Sequence, residues 1–216
     1  MDNKLPTRER FWLEEVMNTI SHGIGAVAAV AGFAVLLFYA AISTHEWAFL
    51  SALFYGISLV SVYVSSTVYH GVSNPSLKNT LCIIDHACIF LLIAGTYTPI
   101  LLITIGGDAG WLFFYLIWGL AISGVFIKIF FKEEFESVSL IAYIVMGWLA
   151  VFKVFDLYEA IAYPGFIMII FGGFAYMFGV IFFVMDKKWP FAHFIWHLFV
   201  IIGSLLHYMA ILIYII

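Results

Sequence analysis

GWLFFYLIWGLAISGVFIKIFF, residues Gly110–Phe131, contains a single formal charge, Lys128. It shows no alternation of polar and apolar residues, so it does not read as a strand with one wet face. About 20 apolar residues span the hydrocarbon core of a bilayer as a helix. A helix also satisfies its own backbone there, which an open strand cannot do. The reading of this stretch sets the reading of the rest.

On either side of it, runs of the same kind alternate with charged and turn residues. Gly23–Ile42 is followed by Ser43-Thr44-His45-Glu46. Trp47–His70 ends at Gly71-Val72-Ser73-Asn74-Pro75. Asn79–Ile105 stops at Gly106-Gly107-Asp108, and Gly110–Phe131 stops at Lys132-Glu133-Glu134. Val138–Phe155 precedes Asp156. A sixth run follows Tyr163-Pro164-Gly165 and ends at Asp186-Lys187-Lys188. The last runs from Phe191 to the end. The predicted fold is all-α: an integral membrane bundle of seven transmembrane helices with a short N-terminal amphipathic helix. Residues 1–19 form the cytoplasmic amphipathic segment, and 20–216 the transmembrane domain. Residues 1–19 mix both charge signs and do not resemble a cleaved signal peptide.

Composition agrees. The chain is 65% hydrophobic and 10% charged, against about 25% charged in ordinary soluble domains. Mean hydropathy is +1.10. A net charge of −4 offers no phosphate-binding surface, so nucleic acid is excluded as a partner. Cys82 and Cys88 fall within one span and point to different helix faces. They read as packing residues.

With the N-terminus in the cytoplasm, the cytoplasmic ends hold Lys4, Arg8, Arg10, Lys78, Lys128, Lys132, Lys187 and Lys188. The opposite side holds only Lys153. This asymmetry predicts a cytoplasmic N-terminus and an outward C-terminus.

Ionisable residues inside spans are costly and therefore functional candidates. His70 closes the second span, Asp85 and His86 open the third, and His193 and His197 open the seventh. Alternating topology brings these ends to one depth on the cytoplasmic side. His193 and His197 share a helix face with a rise of about 6 Å. With His70 they offer three imidazoles, which suit zinc. Three histidines and an open position is the pattern of a catalytic zinc site. Asp85 is the natural group to orient a water there or take its proton. Ser66, one turn before His70, shares its face and reads as a second catalytic candidate. Histidines on membrane helices can also simply hydrogen-bond to neighbouring helices, and spacing alone leaves both readings open. His86, adjacent to Asp85, is expected to point elsewhere. His207 is about 15 Å deeper than His197 along the axis, too far to share an ion. The seventh span has no lysine for a Schiff base.

Four segments carry a resemblance: Glu15-Val-Met-Asn18-Thr-Ile-Ser21-His22-Gly23, Ser65-Ser66-Thr-Val-Tyr-His70, Asp85-His-Ala-Cys-Ile-Phe-Leu-Leu-Ile-Ala-Gly95-Thr96-Tyr97-Thr98-Pro99, and His193-Phe-Ile-Trp-His197. The ordered set resembles the hemolysin III family, the bacterial branch of the PAQR (progestin and adipoQ receptor) superfamily. That resemblance implies a seven-helix fold with a cytoplasmic N-terminus. It implies Zn2+ held by His70, His193 and His197, with Asp85 at the metal's water and Ser66 beside it. It implies supporting roles for Glu15, Asn18 and His22 at the cytoplasmic entrance and for Tyr97 in mid-span. The implied location is the bacterial inner membrane.

The function implied is zinc-dependent hydrolysis of a membrane lipid, an amide or ester of ceramide-like kind, entering sideways from the bilayer. The alternatives are a non-enzymatic regulator of membrane fluidity or energy homeostasis with a structural or sensory zinc, and a cytolysin. The chain does not show the long N-terminal domain of adiponectin receptors, so the resemblance does not extend to ligand reception. Pro99 should kink the third helix. Gly172, Gly173 and Gly179 are expected to allow close helix approach.

Overall fold

The computed structural model describes residues 7–131 and 136–216. Lys4, Lys132, Glu133 and Glu134, which bear on the loop and charge reading, lie outside the described residues. The architecture is all-α. Among the described residues, seven helical stretches are long and apolar enough to cross a membrane.

The helices are α1 (Thr7–Ile42), α2 (Ala48–Gly71), α3 (Pro75–Pro99), α4 (Gly107–Phe131), α5 (Glu136–Trp148), α6 (Val154–Ala160), α7 (Tyr163–Met185) and α8 (Ala192–Tyr214). Their ends follow local chemistry. Asn74 caps α3, its side chain accepting the Leu77 N–H at 3.2 Å, with proline next in line. Proline lacks the N–H that this first turn could not have paired. Between α3 and α4, Gly106 and Gly107 adopt φ of 64° and 56°, conformations that a Cβ would penalise.

Three departures from the sequence reading have physical causes. First, α1 is one unbroken helix from Thr7, so the amphipathic segment and the first span form a single rod. Second, α3 does not stop as a regular helix after Pro99. It passes into a π-helical stretch, Ile100–Ile105, where wider hydrogen-bond rings accommodate the irregularity. Third, the fifth span does not stop before Asp156. It runs Ser137–Ala160, interrupted by a 3-10 stretch at Leu149–Lys153. Asp156 lies in α6, exposed and paired with Lys153 at 2.6 Å, so its charge does not end the helix.

α1 packs on α2 and α8, α2 on α3, and α7 on α8. Small residues permit this. A Cβ on Gly172 would meet the His207 ring at 2.3 Å, and one on Gly179 the Trp196 ring at 2.7 Å. Gly173 is different: nothing lies within 4 Å of its would-be Cβ, because it faces the internal cavity instead of a neighbouring helix. The expectation of close approach at Gly173 is thus corrected. α5 packs chiefly on α3 and α4.

Candidate metal centre

α2 descends to His70 while α8 begins with His193 and His197, so helix ends bring the three histidines together. One ligating atom from each lies within 4.8 Å of those of the other two. Ring centroids are 5.0 Å apart for His70–His193 and for His70–His197, and 4.8 Å for His193–His197. The three rings thus form a nearly equilateral triangle.

The outer nitrogens explain how the rings are aimed. His70 Nδ1 donates to Glu15 Oε2 at 3.2 Å, and His193 Nδ1 donates to Asp186 Oδ2 at 3.2 Å. A carboxylate only accepts, so each Nδ1 carries the hydrogen and each Nε2 presents a lone pair. His197 Nδ1 lies 3.4 Å from Ser21 Oγ. That hydroxyl already donates to the Asn18 carbonyl at 3.0 Å, so here too Nδ1 is the donor. The pattern leaves Nε2 of all three rings for the centre, and the buried His70 Nε2 has no partner among the described residues. Carboxylates behind histidines are the usual way a protein fixes the tautomer of a metal ligand.

The surrounding charges hold this frame. Lys78 Nζ donates to Glu15 Oε2 at 2.6 Å and to the Tyr69 carbonyl at 3.2 Å. At Asp186, burial would raise the carboxyl, but its bond to His193 and the electrostatic influence of the neighbouring imidazoles and Lys187 outweigh that and hold it below its ordinary range. Glu14 Oε1 accepts the N–H of Phe191 at 2.9 Å. Phe191 takes a left-handed φ of 61° at the start of α8, unusual for a bulky residue. Glu14 therefore ties α1 to the entry of α8 and so to the register of both its histidines.

Asp85 is buried and stands outside the group of mutually close ligating atoms. Its Oδ1 accepts from Ser65 Oγ at 3.4 Å. Ser66, Asp85, His193 and His197 line one end of a cavity of about 280 Å3. The rest of its wall is mostly apolar, with Ile89, Ile144, Met177 and Val180 among the lining residues, though Lys153 and His207 also border it. His86 borders the cavity as well, so it does not turn away as expected. Where a helix faces a wide space, adjacent residues can both reach the wall.

His22 is buried and stacks on His197, with ring centroids 3.5 Å apart and planes 13° apart. Neither of its nitrogens has a partner among the described residues. Asn18 is buried one helical turn before it, its Oδ1 likewise unpartnered. Tyr97 lies far from the histidines in its contacts. Its hydroxyl donates towards the Met146 and Gly147 carbonyls at 3.0 and 2.8 Å and accepts the Ala150 N–H at 2.7 Å. It serves backbone groups freed where the fifth span unwinds. His207 Nε2 donates to the Ile169 carbonyl at 2.9 Å, away from the triangle. Cys82 and Cys88 form no disulfide.

Sequence reasoning misses Glu14, Ser65, Lys78 and Asp186 as parts of the site. Lys78 and Asp186 read there only as loop charges. Their signal is present in outline, since both flank the spans that carry the histidines, but no spacing rule joins residues so distant.

The fold and site define a multi-pass helical membrane protein with a three-histidine cluster able to hold a metal. Known proteins sharpen this. The family model described as "Haemolysin-III related" matches residues 11–208. Hemolysin-3 of Bacillus cereus is 40% identical over 215 residues, covering 100% of this chain and 98% of that protein. The Hemolysin-3 homolog of Bacillus subtilis (strain 168) is 40% identical over 201 residues, 93% of this chain and 94% of the relative. The human monocyte to macrophage differentiation factor is 30% identical over 219 residues, 98% and 90% respectively. The chain belongs to the hemolysin III family, and the human relative extends the match into the wider PAQR superfamily.

Proposed function

We propose that the protein is a zinc-dependent hydrolase of a membrane lipid, cleaving an amide or ester of ceramide-like kind. The observation that carries the reading is the histidine triangle: one ligating nitrogen of each ring lies within 4.8 Å of the others, each Nδ1 is engaged from behind, and a largely apolar cavity opens beside them. The donor set fits the metal. Imidazole nitrogens suit zinc, and the buried His70 Nε2 calls for a partner. His70, His193 and His197 would hold the ion. When bound, it would supply Lewis acidity for polarising a carbonyl and for activating water near neutral pH.

The chain's own residues do the remaining work. Asp85, with Ser65 Oγ at its Oδ1 and Ser66 also in hydrogen-bonding reach, takes a proton from the attacking water and returns it to the leaving group. Ser66 borders the same space and is placed to orient the scissile carbonyl. The apolar wall accommodates the acyl chain. Because α5 packs chiefly on α3 and α4 while α5 and α7 both line the cavity, a lipid enters sideways between α5 and α7. The N-terminus lies in the cytoplasm of a bacterial plasma membrane and the C-terminus outside, as the basic residues sort.

Elemental analysis of the purified protein should find zinc near one equivalent. His193→Ala should lose both metal and lipid turnover, and Asp85→Ala should keep metal while losing turnover. Full turnover by a metal-free His193→Ala protein would overturn the reading. If chelation melts the bundle and no product forms from any lipid, the zinc is structural and the protein a non-enzymatic membrane regulator. The Bacillus relatives carry the name hemolysin. For this chain we assign lysis to bilayer disruption by overproduced protein, and leakage from liposomes at low protein ratio would reverse that assignment.

A further inference from the structure

Most glycines of the bundle are explained by a neighbour that a side chain would strike. Gly119, Gly147 and Gly173 are not: nothing lies within 4 Å of a Cβ built on any of them. None has a positive φ either. Close helix approach and backbone freedom, the two usual reasons for a glycine in a membrane helix, therefore explain none of the three. Gly147 and Gly173 are set apart from Gly119 by their place, since both border the cavity that opens at the histidines.

Both lie deep in it. Gly173 adjoins Gly172, which packs on the His207 ring, and His207 is about 15 Å beyond His197 along α8 at 1.5 Å per residue. The Gly147 carbonyl accepts from the Tyr97 hydroxyl at 2.8 Å, and Tyr97 is about 18 Å beyond Asp85 along α3. The two glycines thus stand on different helices at a similar depth. The cavity continues past them. The far end of α7 from the histidines carries Ile169, one turn beyond Gly173, and Ile169 and Leu157 both border the cavity. These two belong to a buried apolar cluster with Ile161 and Ala210.

The distribution of groups along the cavity fits one kind of occupant. Ser66, Asp85 and the histidines stand at one end, and the wall from there to Leu157 and Ile169 is mostly apolar. An extended acyl chain with its polar end at the histidines matches this order, and in passing to the far end it crosses the level of the two glycines. Any side chain there would occupy the path.

We propose that Gly147 and Gly173 set the length of acyl chain that the cavity accepts, by leaving its deep half open. The inference deepens the lipid reading given above and rests on it for the identity of the occupant, but it does not require that the chain be cleaved.

Scintillation-proximity binding of tritiated octanoate, laurate and palmitate to the full chain, in a sterol-based detergent that has no alkyl tail, tests it. The wild type should bind palmitate at least tenfold more tightly than octanoate, because each buried methylene is worth about fourfold in affinity. Equal affinity for the two would overturn the proposal. Gly147→Leu and Gly173→Leu should each weaken palmitate about tenfold or more and leave octanoate unchanged, since exclusion of two methylenes already costs that much. Unchanged palmitate affinity in either variant overturns the proposal. So does an equal loss for both acids, which marks a blocked entrance instead of a shortened cavity. Gly119→Leu, in open space away from the cavity, should bind like the wild type, and a loss as large as in the other two counts against the proposal. Both cavity variants should melt no lower than the wild type, because the new side chains meet open space and leucine favours a helix over glycine. A variant that fails to fold shows a packed site and overturns the proposal as well. Lipid turnover separates this inference from the hydrolase reading. A protein that sorts chains by length but forms no product keeps the gauge and loses the hydrolase. One whose leucine variants cleave long and short chains in the wild-type ratio does the reverse.

Discussion

The third and fifth spans both line the central cavity, yet they are built differently. In the third, 67% of the most apolar window is buried inside the protein; in the fifth, 11% is. The third carries Asp85 and sits between α2 and α4. The fifth unwinds at Leu149–Lys153; its α5 part packs on α3 and α4, while α6 reaches α7. A metal centre needs ligands held closely, because a small misplacement loses affinity and rate. A lipid needs a way in. On the proposed function the two demands fall on different spans, a closely packed third beside the histidines and a loosely packed fifth across the cavity.

This contrast can be broken at several points. The largest effect is expected at the packed wall. His70→Ala should remove the metal altogether, measured as zinc per chain after purification, because two imidazoles cannot replace three. Next come the residues behind the ligands. Glu15→Gln and Asp186→Asn should each weaken metal affinity about 10–100-fold in chelator competition. Lys78→Ala should move it in the same direction by less. Equal affinity in all three variants would mean that the rings need no outer partner.

Smaller effects are expected where packing alone is at stake. Gly172→Ala should destabilise the bundle by about 1–3 kcal/mol, since the new methyl runs into His207. Gly173→Ala, one residue on, should leave Tm nearly unchanged because its Cβ meets open space. Between the two walls, Tyr97→Phe on the third span should cost about 1–3 kcal/mol by stranding the Ala150 N–H of the fifth and its neighbours while leaving zinc affinity intact. Lost zinc in Tyr97→Phe would show that the two walls are mechanically linked. Least of all, Lys153→Ala should change stability by no more than about 1 kcal/mol, as expected for an exposed pair.

Much of the site is legible in the sequence. His70, Asp85, His193 and His197 stand out because charge inside a membrane span is costly, and alternating topology places their helix ends on one side. The helper residues are not legible for the opposite reason. Lys78 and Asp186 lie at helix ends, where charge costs little, so nothing in their setting marks them. Glu14 reads only as part of an amphipathic segment, while Glu15 is legible through the resemblance alone, and the unbroken run of α1 brings them against α8 and α2. Tyr97 is visible as part of a motif, but its partners lie on a different span and exist only because that span unwinds.

By itself, then, the sequence determined the class of fold, the number of spans and the depth of the ionisable residues. The physical reason is that a bilayer allows few backbone solutions and penalises each buried charge, so pattern along one dimension suffices. Which ring nitrogen faces the centre, which carboxylate stands behind it, and which wall is loose were decided only by tertiary structure. Those depend on a few ångströms of approach between segments as far apart as Glu14 and Phe191 or Ser21 and His197, and helix rotation, not sequence spacing, sets such distances.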